Sequence, residues 1–135
     1  ISRGALGTAL SADKRAMNYK DTYELWLQKV NCEELRAELN AIRGNEAEIE
    51  DRFYRELEFG TAGLRGLLGA GTNRMNVHVI RHATQAFAQV ILEEGAAFAQ
   101  KGIAVCFDCR NHSDEYAREA ACVMAARIRP GMAPT

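Results

Sequence analysis

From Met17 onward the apolar positions Tyr23, Trp26, Leu27 and Val30 recur every three or four residues, the spacing of one helix face. Asn31, with Glu34 three places on, has the form of a capping box ahead of Leu35, Leu39 and Ile42, and Gly44 supplies a stop. Asn45 and Glu48 repeat the arrangement before Ile49, Phe53 and Tyr54. The pattern predicts a helical segment whose many charged positions form a solvated face. Past Leu57 and Phe59, residues 60–71 hold five glycines in twelve, a density through which no helix persists. From Asn76, a good N-cap, the positions Val79, Ile80, Ala83, Phe87, Val90 and Ile91 describe a second helix face that ends near Gly95. Residues 103–107 are an unbroken apolar run between Gly102 and Asp108, which predicts a strand buried on both faces. A helix over residues 114–127 would then bury Tyr116, Ala120, Val123 and Met124. Strand, loop and helix in that order imply an α/β layered domain. A right-handed crossover next requires a parallel strand, but residues 128–135 include Pro130, Gly131 and Pro134, so the βαβ unit reads as unfinished.

Composition narrows the choices without naming a function. A chain of 135 residues, 47% apolar and 26% charged, has the make-up of one ordinary globular domain or part of one. Seventeen basic against eighteen acidic residues leave a net charge of -1, so no global field attracts nucleic acid or an anionic membrane, and any anion site must be local. The longest stretch without Asp, Glu, Lys or Arg covers residues 82–92, well short of the roughly 20 residues of a membrane span. Residues 1–16 read as a leader. Their uncharged run is short, interrupted by glycine and followed by Asp13, Lys14 and Arg15, which argues against a signal peptide. Cys32, Cys106, Cys109 and Cys122 are too few and too irregular for a disulfide framework, so reduced thiols and a cytoplasmic location are expected.

Two stretches carry candidate chemistry. In the first, Gly60, Gly63 and Gly66 permit backbone angles closed to other residues, so N–H groups can converge on an anion while Arg65 offers a two-pronged fork. The spacing is neither that of a P-loop nor that of a dinucleotide fingerprint, and glycine clusters usually mark a plain structural turn. The second stretch includes Asp108, Arg110 and Ser113 at the carboxyl end of the expected strand, where open α/β sheets place their ligand crevices. Alternatively, Asp108 and Arg110 pair with each other and Ser113 caps the following helix. Cys106 and Cys109 form a C-x-x-C, but Cys106 lies inside the expected strand and no second ligand pair follows, so buried packing is the reading. His78 and His82 stand four apart without a third ligand. Arg74 and Arg81 either add positive potential near the glycine stretch or are solvated.

The stretch Phe59-Gly60-Thr61-Ala62-Gly63-Leu64-Arg65-Gly66 is followed by Gly69-Ala70-Gly71-Thr72-Asn73-Arg74-Met75-Asn76 and by Arg81-His82-Ala83-Thr84-Gln85. With Ile49-Glu50-Asp51-Arg52-Phe53-Tyr54-Arg55-Glu56-Leu57-Glu58 upstream and Asp108-x-Arg110-x-x-Ser113 downstream, it resembles the opening of the α-D-phosphohexomutases, above all bacterial phosphoglucomutases and phosphomannomutases, over residues 17–126. The resemblance implies an α/β fold, the three-layer α/β/α domain I of that family, incomplete at its C-terminal end and preceded by a helical N-terminal segment. Its divisions would be a leader or non-family extension over 1–16, the helical segment over 17–56, partial domain I over 57–127 and a divergent tail over 128–135. It also implies an isomerase that moves a phosphoryl group between C1 and C6 of a hexose through a phosphoserine, with Mg²⁺ and glucose 1,6-bisphosphate. Arg65 would then reach into the cleft near the phosphoserine, with Thr61, Gly63 and Gly66 shaping that wall and Arg110 supporting it. Asp108 and Ser113 match the same D-x-R-x-x-S pattern.

Departures from the family pattern are equally informative. The family serine sits in a Thr-Ala-Ser-His-Asn-Pro loop, whereas the serines here are Ser2, Ser11 and Ser113, none in that context. The Asp-Gly-Asp-Gly-Asp-Arg metal loop, the Gly-Glu-x-Ser-Gly-His sugar loop and the Arg-x-Ser-Gly-Thr phosphate loop are also missing. Ala62 and Ala86 are small changes at positions that the family often fills with Ser or Gly. The expectation is a piece of a hexose phosphate mutase with no catalytic residue, metal ligand or specifically bound cofactor of its own. Such a piece is inactive alone and, with an unpaired sheet edge, prone to self-association. A stand-alone phosphate-binding or protein-interaction module is the alternative.

Overall fold

The computed structural model describes residues 18–128, which divide between Met75 and Asn76 into two compact units. The expected leader, and the expected tail apart from Ile128, lie outside the described residues.

Three short helices build most of the first unit: α1 (Tyr19–Lys29), α2 (Glu33–Ala41) and α3 (Glu46–Phe53). Asn18 caps α1 through its side chain, and Asn45 caps α3 as its spacing predicts, accepting from the Glu48 N–H at 3.3 Å. The capping box at Asn31 does not form. α2 begins one residue later than that box requires, so Cys32 occupies the cap position without a side-chain bond. Gly44 adopts φ +84° in the turn that separates α2 from α3. The apolar faces of the helices meet in a core of Tyr23, Val30, Leu35, Leu39, Ile42, Ile49 and Phe53. Tyr23 and Trp26 approach the Phe53 ring edge-on at 5.8 and 5.5 Å, and the Tyr23 hydroxyl donates to the Leu39 carbonyl at 2.8 Å. The core thereby takes in a phenol without leaving its polar end unpaired. After α3 the chain forms a minimal antiparallel pair, β1 (Phe59–Gly60) and β2 (Gly63–Leu64).

The second unit holds α4 (Val77–Glu93), the single turn α5 (Ala96–Ala99) and α6 (Ser113–Ile128). Asn76 caps α4 by accepting from the N–H groups of His78 and Val79, each at 3.1 Å, and Gly95 ends it with φ +106°. Ala88, Ile91, Ala99 and Met124 form the core, with Ile128 packed against it. The buried face of α4 only partly matches the one its pattern singles out: Ile91 is buried and Val79, Ile80 and Ala83 are half-buried, but Phe87 and Val90 are 55% and 53% exposed. The apolar arc of α4 is wider than its core contact, so periodicity alone leaves the choice within that arc to packing, and Ala88 and Ile91 meet the core. On α6 only Met124 is buried, while Tyr116, Ala120 and Val123 are half-buried. Arg81 on α4 donates to Glu119 on α6 at 2.7 Å, and that bond holds the Glu119 carboxyl below its usual range.

The strand expected over residues 103–107 does not form. Ile103, Val105 and Phe107 are exposed, and so is Cys106, which the sequence placed in a buried strand. A strand buried on both faces needs backbone partners at its edges and layers above and below it. Among the described residues the β pairings are β1 with β2 and an isolated bridge from Leu68 to Met75, and neither includes this run. Helices with one small sheet agree with the α/β class, while the larger layered sheet is not among the described residues. No described helix is long and apolar enough to cross a membrane.

Candidate anion-binding site

In the first unit the glycine stretch folds into a hairpin with Phe59 opposite Leu64 and Gly60 opposite Gly63, which places Thr61 and Ala62 at its tip. Among the described non-glycine residues only His112 has positive φ, so Thr61 and Ala62 turn the chain in ordinary conformations. Gly63 completes the reversal at φ +103°. A Cβ on Gly63 would meet nothing within 4 Å, so its backbone angle, not space, calls for glycine there. Gly66 follows with Leu57 packed closely over it. Between them Arg65 is exposed, with no hydrogen bond or ion pair to another described residue. A guanidinium in that state keeps its donors available for an oxyanion.

In the second unit Asp108, Arg110 and Ser113 are drawn together in a single loop. The Asp108 carboxylate accepts from the Arg110 N–H at 3.1 Å and from its Nε at 2.8 Å, and the Asp108 N–H donates to the Ser113 hydroxyl at 3.1 Å. The Arg110 backbone N–H, more than any other group, holds the Asp108 carboxyl below the usual carboxylate range. Ser113 is the first residue of α6, and its hydroxyl ties back to Asp108 in place of capping the helix. His112 stands at φ +64°, with Nδ1 2.8 Å from Glu115 and its ring stacked on Tyr116. The Arg110 side chain is 84% exposed even while paired, so the pairing is weak and its outer donors face solvent.

The remaining candidates settle into structural or solvent-facing roles. Arg74 is buried, donating to the Asn73 carbonyl at 3.0 Å and pairing with Asp51, and Arg81 is paired with Glu119. Neither adds a free cation to the glycine stretch. His78 is half-buried and its pKa is lowered, by burial first and by Arg81 second. No group of three or more His, Cys, Asp or Glu side chains among the described residues could hold a metal ion. Sequence reasoning missed Glu38 and Arg52. It took the charged face of the helices as solvated, yet the Arg52 side chain is only 16% exposed and bonds to both Glu38 and Glu48. The Glu48–Arg52 spacing of four was a legible signal, whereas Glu38 comes from another helix.

The glycine hairpin and the 108–113 loop both fall within the stretch shared with known enzymes. Residues 56–135 match the family model described as phosphoglucomutase/phosphomannomutase, alpha/beta/alpha domain I. The phosphopentomutase of Mus musculus is 35% identical over 106 residues, covering 78% of this chain and 17% of that protein. The phosphoribomutase of Saccharomyces cerevisiae is 34% identical over 105 residues, 76% of this chain and 16% of that protein. The phosphoglucomutase of Staphylococcus aureus is 31% identical over 102 residues, 76% and 18% of the two chains. No solved structure matches. The chain belongs to the phosphoglucomutase/phosphomannomutase family, and it spans less than a fifth of the length of these relatives.

Proposed function

We propose that this chain supplies one wall of a sugar-phosphate cleft in a phosphomutase, with Arg65 as the cation that meets the phosphoryl group. One observation carries the reading: Arg65 stands exposed, without a partner among the described residues, directly after a glycine-closed hairpin inside the segment matched by domain I. Thr61, Gly63 and Gly66 shape the backbone that presents it. Arg110 is the second cation on this reading, because the Asp108–Arg110 pair is exposed and screened by solvent and yields readily to a phosphate. Asp108 and Ser113 set the loop that carries it.

The substrate on this reading is an aldose phosphate. The motifs point to a hexose and transfer between C1 and C6, while two of the relatives are named for pentose or ribose chemistry, so both sugar sizes belong in the test. Mg²⁺ and a sugar bisphosphate would serve the complete enzyme. The described residues offer no ligand set for the metal. Lacking a serine in the nucleophile context, the chain is expected to be inactive alone, to reside in the cytoplasm, and to self-associate through exposed apolar groups such as Ile103, Val105 and Phe107.

The test is a titration of the isotopically labelled chain with glucose 1-phosphate and with ribose 1-phosphate. Saturable shifts at the Arg65 Nε–H and at the amides of residues 61–66, lost in Arg65→Ala without loss of folding, are the expected result. Silence of that segment toward both ligands overturns the reading. Turnover of either sugar phosphate, or labelling by glucose 1,6-bisphosphate, would contradict the expected inactivity.

A further inference from the structure

Resting on the reading of Arg65 as an anion contact, we propose that Glu38 and Arg52, on helices α2 and α3, are positioning residues that fix the glycine hairpin so that Arg65 is presented in one orientation. The hairpin cannot supply that order itself. It has two residue pairs, and an isolated two-stranded ribbon is marginal in water even when longer.

The order comes from residues 69–73, which are fastened to the end of α3. Ala70, wholly buried, has both backbone groups satisfied by the ion pair: its N–H donates to Glu38 Oε2 at 3.0 Å and its carbonyl accepts from Arg52 Nη1 at 3.1 Å. The same Nη1 donates to Glu38 Oε2 at 2.9 Å, and Arg52 Nε donates to Glu48 at 2.8 Å. Burial opposes the charge on Arg52, but the bonds to Glu48 and Glu38 outweigh it and leave the guanidinium more basic than usual. The Arg52 backbone takes part as well, its carbonyl accepting from the Asn73 N–H at 2.9 Å. Gly71 passes so close that a Cβ there would lie 2.6 Å from that carbonyl, at a φ of +134°. The Thr72 hydroxyl donates to the Arg55 carbonyl at 2.7 Å.

The entering leg of the hairpin is then bonded to this fastened stretch and the leaving leg to Met75, two residues beyond it. On the entering leg the Leu57 N–H donates to the Thr72 carbonyl at 3.0 Å, and on the leaving leg the Leu67 carbonyl accepts from the Met75 N–H at 2.7 Å. A path of hydrogen bonds thus runs from a half-buried ion pair, through five residues of backbone, to the two ends of the segment that holds Arg65.

The test uses the whole chain and two readouts. Amide hydrogen exchange without ligand reports the order of the hairpin, and titration with inorganic phosphate reports the Arg65 contact. Glu38→Gln is expected to speed exchange roughly tenfold at Leu57, Ala70 and Met75, and to weaken the phosphate response of Arg65 by a similar factor. The amides of Tyr23, Leu39 and Ile49 in the helical core should change less than about twofold. Should Glu38→Gln fail to fold, Thr72→Val, which leaves the ion pair intact, is expected to give the same selective loosening on a smaller scale. Loosening of the hairpin only in step with the helical core, or no loosening, overturns the proposal by leaving the pair a purely structural role. A wild-type chain that gives no phosphate response at Arg65 overturns the anion reading beneath it, and exchange measured without phosphate tells that failure from failure of the clamp.

Discussion

The two loops that carry the candidate cations are held in opposite ways. The segment around Arg65 borrows its order from outside itself, through Glu38, Arg52 and Thr72 on flanking elements, while Arg65 makes no bond of its own to a described residue. The loop around Arg110 is held from within, since Asp108, Arg110 and Ser113 bond to one another and remain close to solvent. Anchoring by a buried network leaves the presented cation unspent and pays its ordering cost before a ligand arrives, whereas a self-paired cation must first release its carboxylate. On the proposed reading, the contrast favours Arg65 over Arg110 as the cation more readily available to an anion.

The anchored unit should suffer most when its core is cut. Leu39 is fully buried and its carbonyl receives the Tyr23 hydroxyl, so Leu39→Ala is expected to lower stability by about 2–5 kcal/mol, read from urea unfolding of Trp26 fluorescence. Next in size is a test of the clamp geometry. Gly71→Ala places a Cβ against the Arg52 carbonyl at φ +134°, whereas Gly63→Ala meets only open space at φ +103°. The first should cost about 2–3 kcal/mol and the second about 1 kcal/mol, and equal costs in thermal unfolding would remove the close approach from the account.

In the second unit Asn76→Ala removes the acceptor for two N–H groups of α4, with an expected loss of about 1 kcal/mol by the same measurement. Smaller again is a pH effect. Burial and Arg81 hold the His78 pKa below its ordinary value of about 6.5, so folding favours the neutral ring. That contribution is fully present above the unfolded pKa and is lost as pH falls toward the folded one, so the second unit should loosen modestly as pH falls below about 6.5. His78→Gln should flatten the slope, with amides of α4 and α6 as the reporters. Asp108 has the same sign at lower pH: its depressed pKa adds stability above about 3.9 that is lost as pH falls through the folded value. Least of all, Arg110→Ala should change stability by no more than about 0.5 kcal/mol, because the pair it breaks is exposed.

What could be read from the sequence was whatever depends on neighbours along the chain. Asn45 and Asn76 cap as their spacing requires, and the glycine stretch turns where its density demands. Apart from the Asn31 capping box, which α2 begins one residue too late to form, the failures are non-local. The apolar arc of α4 is wider than the part the core covers, so only contact with the rest of the core separates Phe87 from Ile91. Residues 103–107 have the composition of a buried strand, yet a strand is defined by its partners, and none pairs with them among the described residues. Of the site, the positions in the glycine hairpin were legible as a motif and from its chemistry, but the support beneath it was not. Glu38 and Arg52 are fourteen residues apart on different helices, and nothing in a charge pattern distinguishes a half-buried pair from a solvated one.

The claim that Arg65 is presented for an anion is tested most directly by an experimental structure of the chain with phosphate bound. The account predicts a phosphate oxygen at about 2.8 Å from the Arg65 guanidinium, with the hairpin and the Glu38–Arg52 pair in place as described. Phosphate bound elsewhere while Arg65 stays in solvent, or Arg65 folded back onto a carboxylate of its own unit, would contradict it.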